Sequence, residues 1–176
     1  MTMLGRVAGI AAVLLSGAVV LGAPAPGPPA PASGPQEVSV VGVFVDPGAG
    51  HPTVLLEGKR DQRRFAMAIG LAEATGIAVP LGNVTPPRPL THDLFLTLFA
   101  RLGVSVERVV ITDLRDNTLY ATVFLKASAG PLELDSRPSD AIALAVRARA
   151  PIYAERRVFD KTERPSPTPG QPGQRI

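Results

Sequence analysis

The sequence contains no cysteine and no tryptophan, and it has two histidines, His51 and His92. Without cysteine there is no disulfide, no thiolate nucleophile, no cysteine-held zinc or iron–sulfur centre and no lipoprotein anchor. Two imidazoles are too few for a multi-histidine metal site within one chain. Any metal would rest mainly on carboxylates, which suits hard ions such as Mg²⁺ or Mn²⁺. Aromatic residues are scarce, two tyrosines and six phenylalanines, which leaves little to stack nucleic-acid bases. Strong charge is missing too. The formal net charge is +3, and residues 38–160 hold 14 Lys and Arg against 13 Asp and Glu. A domain so near neutrality does not bind polyanions by charge alone.

The extended run of apolar and small residues, Val7 to Leu21, is 15 residues long, short of the roughly 20 that a spanning helix needs. Preceded by Arg6, it has the layout of a secretory signal peptide. The expected leader is residues 1–25, with Ala23-Pro24-Ala25 or, as late as residue 32, Ala30-Pro31-Ala32 as the cleavage site. Residues 26–36 read as a Pro-rich linker. The expected location is therefore secreted, periplasmic or in the cell envelope, with no stable membrane span.

What remains of the 176 residues, 45% of them apolar overall, suits one domain. Its expected limits are residues 37–160. Residues 161–176 carry four prolines and no core pattern, and read as a disordered tail. Within the domain, strands are expected over Val38–Val45, Thr53–Glu57 and Arg63–Ile69. A helix follows from Gly70 to Val79, with Leu71, Ala74 and Ala78 on one side and Pro80 as its stop. A second runs from an N-cap at Thr91 to Arg101, with Leu94, Phe95, Leu98 and Phe99 on its apolar face. Two alternating strands, Val106–Leu114 and Leu119–Lys126, meet in a hairpin at Arg115-Asp116-Asn117. Leu132–Asp135 is a short strand, with Glu133 and Asp135 opposite Leu132 and Leu134. A buried helix opens near Pro138, and Ile152–Ala154 is a last strand. The fold class is α+β, a single compact domain with a mixed β-sheet and packed helices.

Three clusters place polar groups at helix starts: residues 69–74, 88–94 and 135–145. Glu73, Asp93, Asp135 and Asp140 are the candidate ligands of a divalent ion. Asp135, Asp140, His92 and Arg137 are the candidate catalytic groups, with Arg137, Ser139 and Arg88 for substrate, since a guanidinium clamps phosphate bidentately. A plainer reading stands beside this one. Carboxylates in a first helical turn favour the helix dipole, so Asp93 and Asp140 need do no more than that. Arg137 would then neutralise Asp135 or Glu73, His92 would pack, and His51 would be exposed in a turn.

The third cluster, Leu134-Asp135-Ser136-Arg137-Pro138-Ser139-Asp140-Ala141-Ile142-Ala143-Leu144-Ala145, followed by Pro151-Ile152-Tyr153, resembles the signature of the bifunctional nuclease (BFN) domain family. Ile69-Gly70 with Glu73-Ala74, and then Arg88-Pro89-Leu90-Thr91-His92-Asp93-Leu94, match in order. Asp113-Leu114 and Tyr120-Ala121 fit the family's hairpin. The resemblance covers about Val38 to Asp160. It implies a compact α+β domain and a nuclease, since plant members are described as cutting both DNA and RNA; many bacterial members have no demonstrated substrate. The matching polar positions are Glu73, His92, Asp93, Asp135, Arg137, Ser139 and Asp140. Ser136 stands where alanine is common, and the export signal departs from many relatives and favours nucleic acid outside the cytoplasm.

The leading expectation is thus a nuclease hydrolysing DNA and RNA with Mg²⁺ or Mn²⁺. The alternative is a non-catalytic binding or assembly module, including a homo-oligomer, in which the same motifs form a structural network. A small-molecule phosphoesterase using this site is a third.

Overall fold

The computed structural model describes residues 34–45 and 50–162. The expected leader, the linker up to residue 33 and the tail from residue 163 lie outside the described residues.

Each expected strand forms, most of them longer by a residue or more. Strands β1 (Gln36–Val45), β2 (Pro52–Gly58) and β3 (Arg64–Ala68) make one antiparallel meander. Strands β4 (Ser105–Arg115), β5 (Thr118–Ala127) and β6 (Gly130–Ser136) make a second. The β4–β5 turn rests on Asp116 and Asn117, both left-handed with φ of 46° and 60°, which matches the twist of a two-residue hairpin. Strand β7 (Ile152–Ala154) lies between the meanders, antiparallel to β1 and parallel to β4. The order is β3-β2-β1-β7-β4-β5-β6, a mixed seven-stranded sheet.

One core serves the whole sheet. It joins Val54, Leu56, Val109, Ile111, Val123 and Ile152 from the strands to Ile77, Ile142, Val158 and Phe159 from the helices. Helix α3 (Pro138–Ala148) is buried from Ala141 to Ala145, and its small side chains let it lie close to β4 and β5. Proline at its first position and the left-handed Arg149 after its last turn set its ends.

Three expectations are corrected. Helix α1 (Leu71–Leu81) runs through Pro80 instead of stopping before it, and its inward residues are Ala74, Gly76 and Ile77, while Leu71 is exposed. Proline lacks the N–H that would bond the carbonyl four residues earlier. That carbonyl, on Gly76, receives an N–H from the Arg147 guanidinium instead, so the turn survives. Helix α2 (Thr91–Arg101) has Leu90 at its N-cap and Thr91 inside the helix. Its most apolar stripe does not pack on the core: Leu94, Phe95 and Leu98 are exposed, and it is Leu96 and Phe99 that pack there. Finally, helix α4 (Arg156–Thr162) forms where only tail was expected past residue 160. It buries Val158 and Phe159, with the Phe159 ring edge-on to Phe65 at 5.1 Å. Its Lys161 holds Asp113 at 2.6 Å. Among the described residues no helix is long and apolar enough to cross a membrane.

Candidate functional site

Helices α1, α2 and α3 and the end of β6 enclose a cleft of about 900 Å³. Glu73, His92, Asp135, Arg137 and Asp140 line it, so residues from all three sequence clusters meet here. Asp140, in the first turn of α3, is the hub. Its Oδ2 accepts from Arg137 Nε at 2.6 Å, its Oδ1 from Arg137 Nη2 at 3.2 Å, and Oδ1 also lies 3.2 Å from His92 Nε2. Arg137 reaches across to α1, with Nη1 2.9 Å from Glu73 Oε1. One exposed guanidinium therefore joins two carboxylates from two helices.

Burial works against ionisation of Asp140, but hydrogen bonds from Arg137 and His92 outweigh it and hold its pKa below the usual carboxylate range. The same bonds raise the pKa of Arg137, Asp140 contributing most. A carboxylate so stabilised as an anion is a poor proton acceptor and a good anchor. Because a carboxylate only accepts, His92 donates to Asp140 from Nε2.

His92 sits against helix α1 because residue 76 is glycine. A Cβ there would lie 2.9 Å from His92 Cε1 and 3.2 Å from Nδ1. Gly76 is a site residue that the sequence reading missed, since a lone glycine inside a helical pattern has no distinctive signature.

Asp93 is turned away from this hub. Its Oδ2 accepts from the Leu90 N–H at 2.8 Å and its Oδ1 from Arg147 Nε at 2.7 Å. Burial again opposes the charge, and the bonds from Leu90 and Arg147 overcome it to lower the Asp93 pKa. Arg147 also donates to the carbonyls of Gly76 and Ala143, and so ties α1, α2 and α3 together. It too was missed, although an arginine in an otherwise apolar buried helix calls for partners.

The remaining candidates are scattered. Asp135 borders the cleft, but it pairs with Thr122 across the sheet while Leu134 pairs with Val123. Strand alternation thus puts the Asp135 side chain on the face away from the core residue Val123. Ser139 is buried beneath the start of α3 and lines a smaller cleft of about 480 Å³ beyond Arg137. Arg88 is exposed in the segment before α2 and lines neither cleft. The four carboxylates expected around Mg²⁺ or Mn²⁺ are therefore not gathered into one shell. Among the described residues no three His, Asp or Glu side chains are grouped so as to hold an ion.

Comparison with known proteins agrees with these motifs. The bifunctional nuclease domain profile matches residues 54–167. An uncharacterized protein of Mycobacterium tuberculosis is 41% identical over 123 residues, 70% of this chain and 73% of the relative. Bifunctional nuclease 1 of Oryza sativa subsp. japonica and a bifunctional nuclease of Oryza minuta are each 33% identical over 81 residues, 44% of this chain and 24% of theirs. The rice match therefore spans about a quarter of the plant proteins. With its three motifs drawn around one cleft and the profile covering most of the described domain, the chain belongs to the bifunctional nuclease domain family.

Proposed function

We propose that this protein is a nuclease that hydrolyses phosphodiester bonds of DNA and RNA in the cleft between α1, α2 and α3. The observation that carries the reading is the exposed Arg137 guanidinium, held in place by Asp140 and Glu73 beside the His92–Asp140 pair. The guanidinium has five donors and these contacts leave some of them for the non-bridging oxygens of a phosphate. In the transition state, charge grows on those oxygens, where a fixed guanidinium is most useful. His92, bonded to Asp140 through Nε2 and with Nδ1 packed against Gly76, steadies the Asp140 carboxylate under Arg137, and the attacking water gives its proton to solvent. Asp140 and Glu73 are positioning residues for Arg137. No step is assigned to a metal ion.

A plasmid and RNA digestion assay on the full chain, run in parallel with EDTA, Mg²⁺ and Mn²⁺, tests the reading. Cleavage by the wild type and its loss in His92→Ala and Arg137→Ala are expected, and the three conditions read out dependence on Mg²⁺ or Mn²⁺. A folded, monodisperse wild type that cuts under none of them would leave the binding-module reading. That second reading draws on Asp93, which is wholly engaged by Arg147 and Leu90. The proposal includes export, resting on the Arg6 and Val7–Leu21 layout; N-terminal sequencing of protein from the medium or envelope tests it, and an intact Met1 would refute it.

A further inference from the structure

The cleft is lined by two kinds of side chain, the Arg137 guanidinium with its carboxylates and an apolar set of Phe95, Phe99, Leu90 and Leu134. Phe95 is the unusual member. It stands 48% exposed on α2 at the cleft wall, with its ring centroid 6.2 Å from that of Phe99 and the planes tilted by 59°. An apolar ring left half in water in the same cleft as an exposed guanidinium suits a ligand that carries both an anion and a flat apolar surface.

Charge narrows the ligand further. Arg137 is the one Lys or Arg among the described residues lining the cleft, where Glu73 and Asp140 pair with it and Asp135 adds a further negative charge to the lining. A duplex is held by rows of cations along two backbones, and its bases are stacked inside and cannot reach Phe95. A single strand can place one phosphate on Arg137 and turn the adjoining base onto a ring.

We propose that Phe95 is the base-stacking platform of this cleft and that the occupant is an unpaired nucleotide of a single-stranded nucleic acid, its phosphate on Arg137. The inference deepens the nuclease reading and rests on it. Phe95 sets which strands bind productively, and stacking on it requires local unpairing before any bond is cut.

Fluorescence anisotropy of the full chain in EDTA tests this with three labelled probes of one length: a single-stranded oligodeoxynucleotide, its duplex, and an abasic strand with the same phosphates. The base-bearing single strand should bind about tenfold more tightly than the other two, the scale of one base–aromatic stack. Phe95→Ala should lose that advantage and bind all three alike, while Phe95→Tyr should keep it. Because Phe95 is half exposed, thermal melts should show both variants folded. Equal binding of abasic and base-bearing strands by the wild type, preference for the duplex, or an unchanged Phe95→Ala would each overturn the proposal. Base-dependent binding without cleavage in any metal condition would sink the nuclease reading and keep the platform. Cleavage indifferent to Phe95 would do the reverse.

Discussion

Helix α3 carries an arginine near each end, and the two have opposite lives. Arg137, just before the helix, pairs with Asp140 and Glu73 and is 65% exposed. Arg147, in the last turn, pairs with Asp93 and is 6% exposed. Both are guanidinium–carboxylate contacts that cross between helices. In water such a pair is weak and its members can change partners, whereas in the interior breaking it strands a charge. The first geometry suits recognition of a ligand and the second suits holding the cleft walls together.

The strongest test of this contrast is Arg147→Met. It leaves Asp93 half-buried without its partner and removes donors from the Gly76 and Ala143 carbonyls. Unfolding free energy in urea should fall by about 3–5 kcal/mol. A change near zero would mean that the buried end is not structural.

Gly76→Ala comes next. The added methyl meets the His92 ring at 2.9 Å, and either the ring or α1 must shift. We expect a loss of about 1–3 kcal/mol by urea unfolding, together with loss of cleavage, because His92 leaves Asp140. Full activity with the His92 ring displaced from Asp140 would remove His92 from the mechanism.

Acid sharpens the comparison. Asp93 and Asp140 both have lowered pKa values in the folded protein, against about 3.9 for an aspartate in an unfolded chain. Below that value the unfolded chain binds more protons than the folded one. Their stabilisation is therefore complete above about pH 4 and drains away as pH falls through the folded values. Thermal melts from neutral pH downward should show an acid limb to which Asp61 and Asp113, also lowered, contribute, and Arg147→Met should remove the Asp93 part of it. An acid limb equally steep in the variant would assign it to other carboxylates.

The smallest stability effect belongs to Arg137→Ala. The guanidinium is exposed but its partners Asp140 and Glu73 are only 30% and 21% exposed, so the unfolding free energy should fall by about 1 kcal/mol, less than in Arg147→Met, while cleavage is lost. Arg137→Lys should not restore activity, since an ammonium cannot reproduce the fork. If Arg137→Ala destabilised the protein as much as Arg147→Met, the division between the two ends of α3 would collapse.

The strands were legible because β-branched runs and turn residues act locally. Asp116-Asn117 encodes a left-handed turn wherever it stands, and Pro138 marks a helix start from its own ring. Helix faces were harder. On α2 two stripes compete, and periodicity alone favours the more apolar one through Leu94, Phe95 and Leu98. The inward stripe is His92, Leu96 and Phe99, spaced at i, i+4 and i+7 and led by a polar residue, because Asp140 and Gly76 draw His92 in. Pro80 misled for a related reason. The donor that replaces its missing N–H sits 67 residues later, on Arg147, and no local pattern can announce it. The polar groups of the three motifs were identified, but their pairing was not, since a carboxylate's partner depends on which side of a strand or helix it occupies.

Strand β7 has a consequence for how the chain comes to exist. It is three residues long, yet among the described residues it is the ladder that joins the first meander to the second. A ribosome releases the N-terminal half first. Until residues 152–154 emerge, each meander presents an unsatisfied edge, β1 on one side and β4 on the other. The two halves must wait for the last strand to be clasped together. A released chain ending at Ala150 should expose both edges to chaperones.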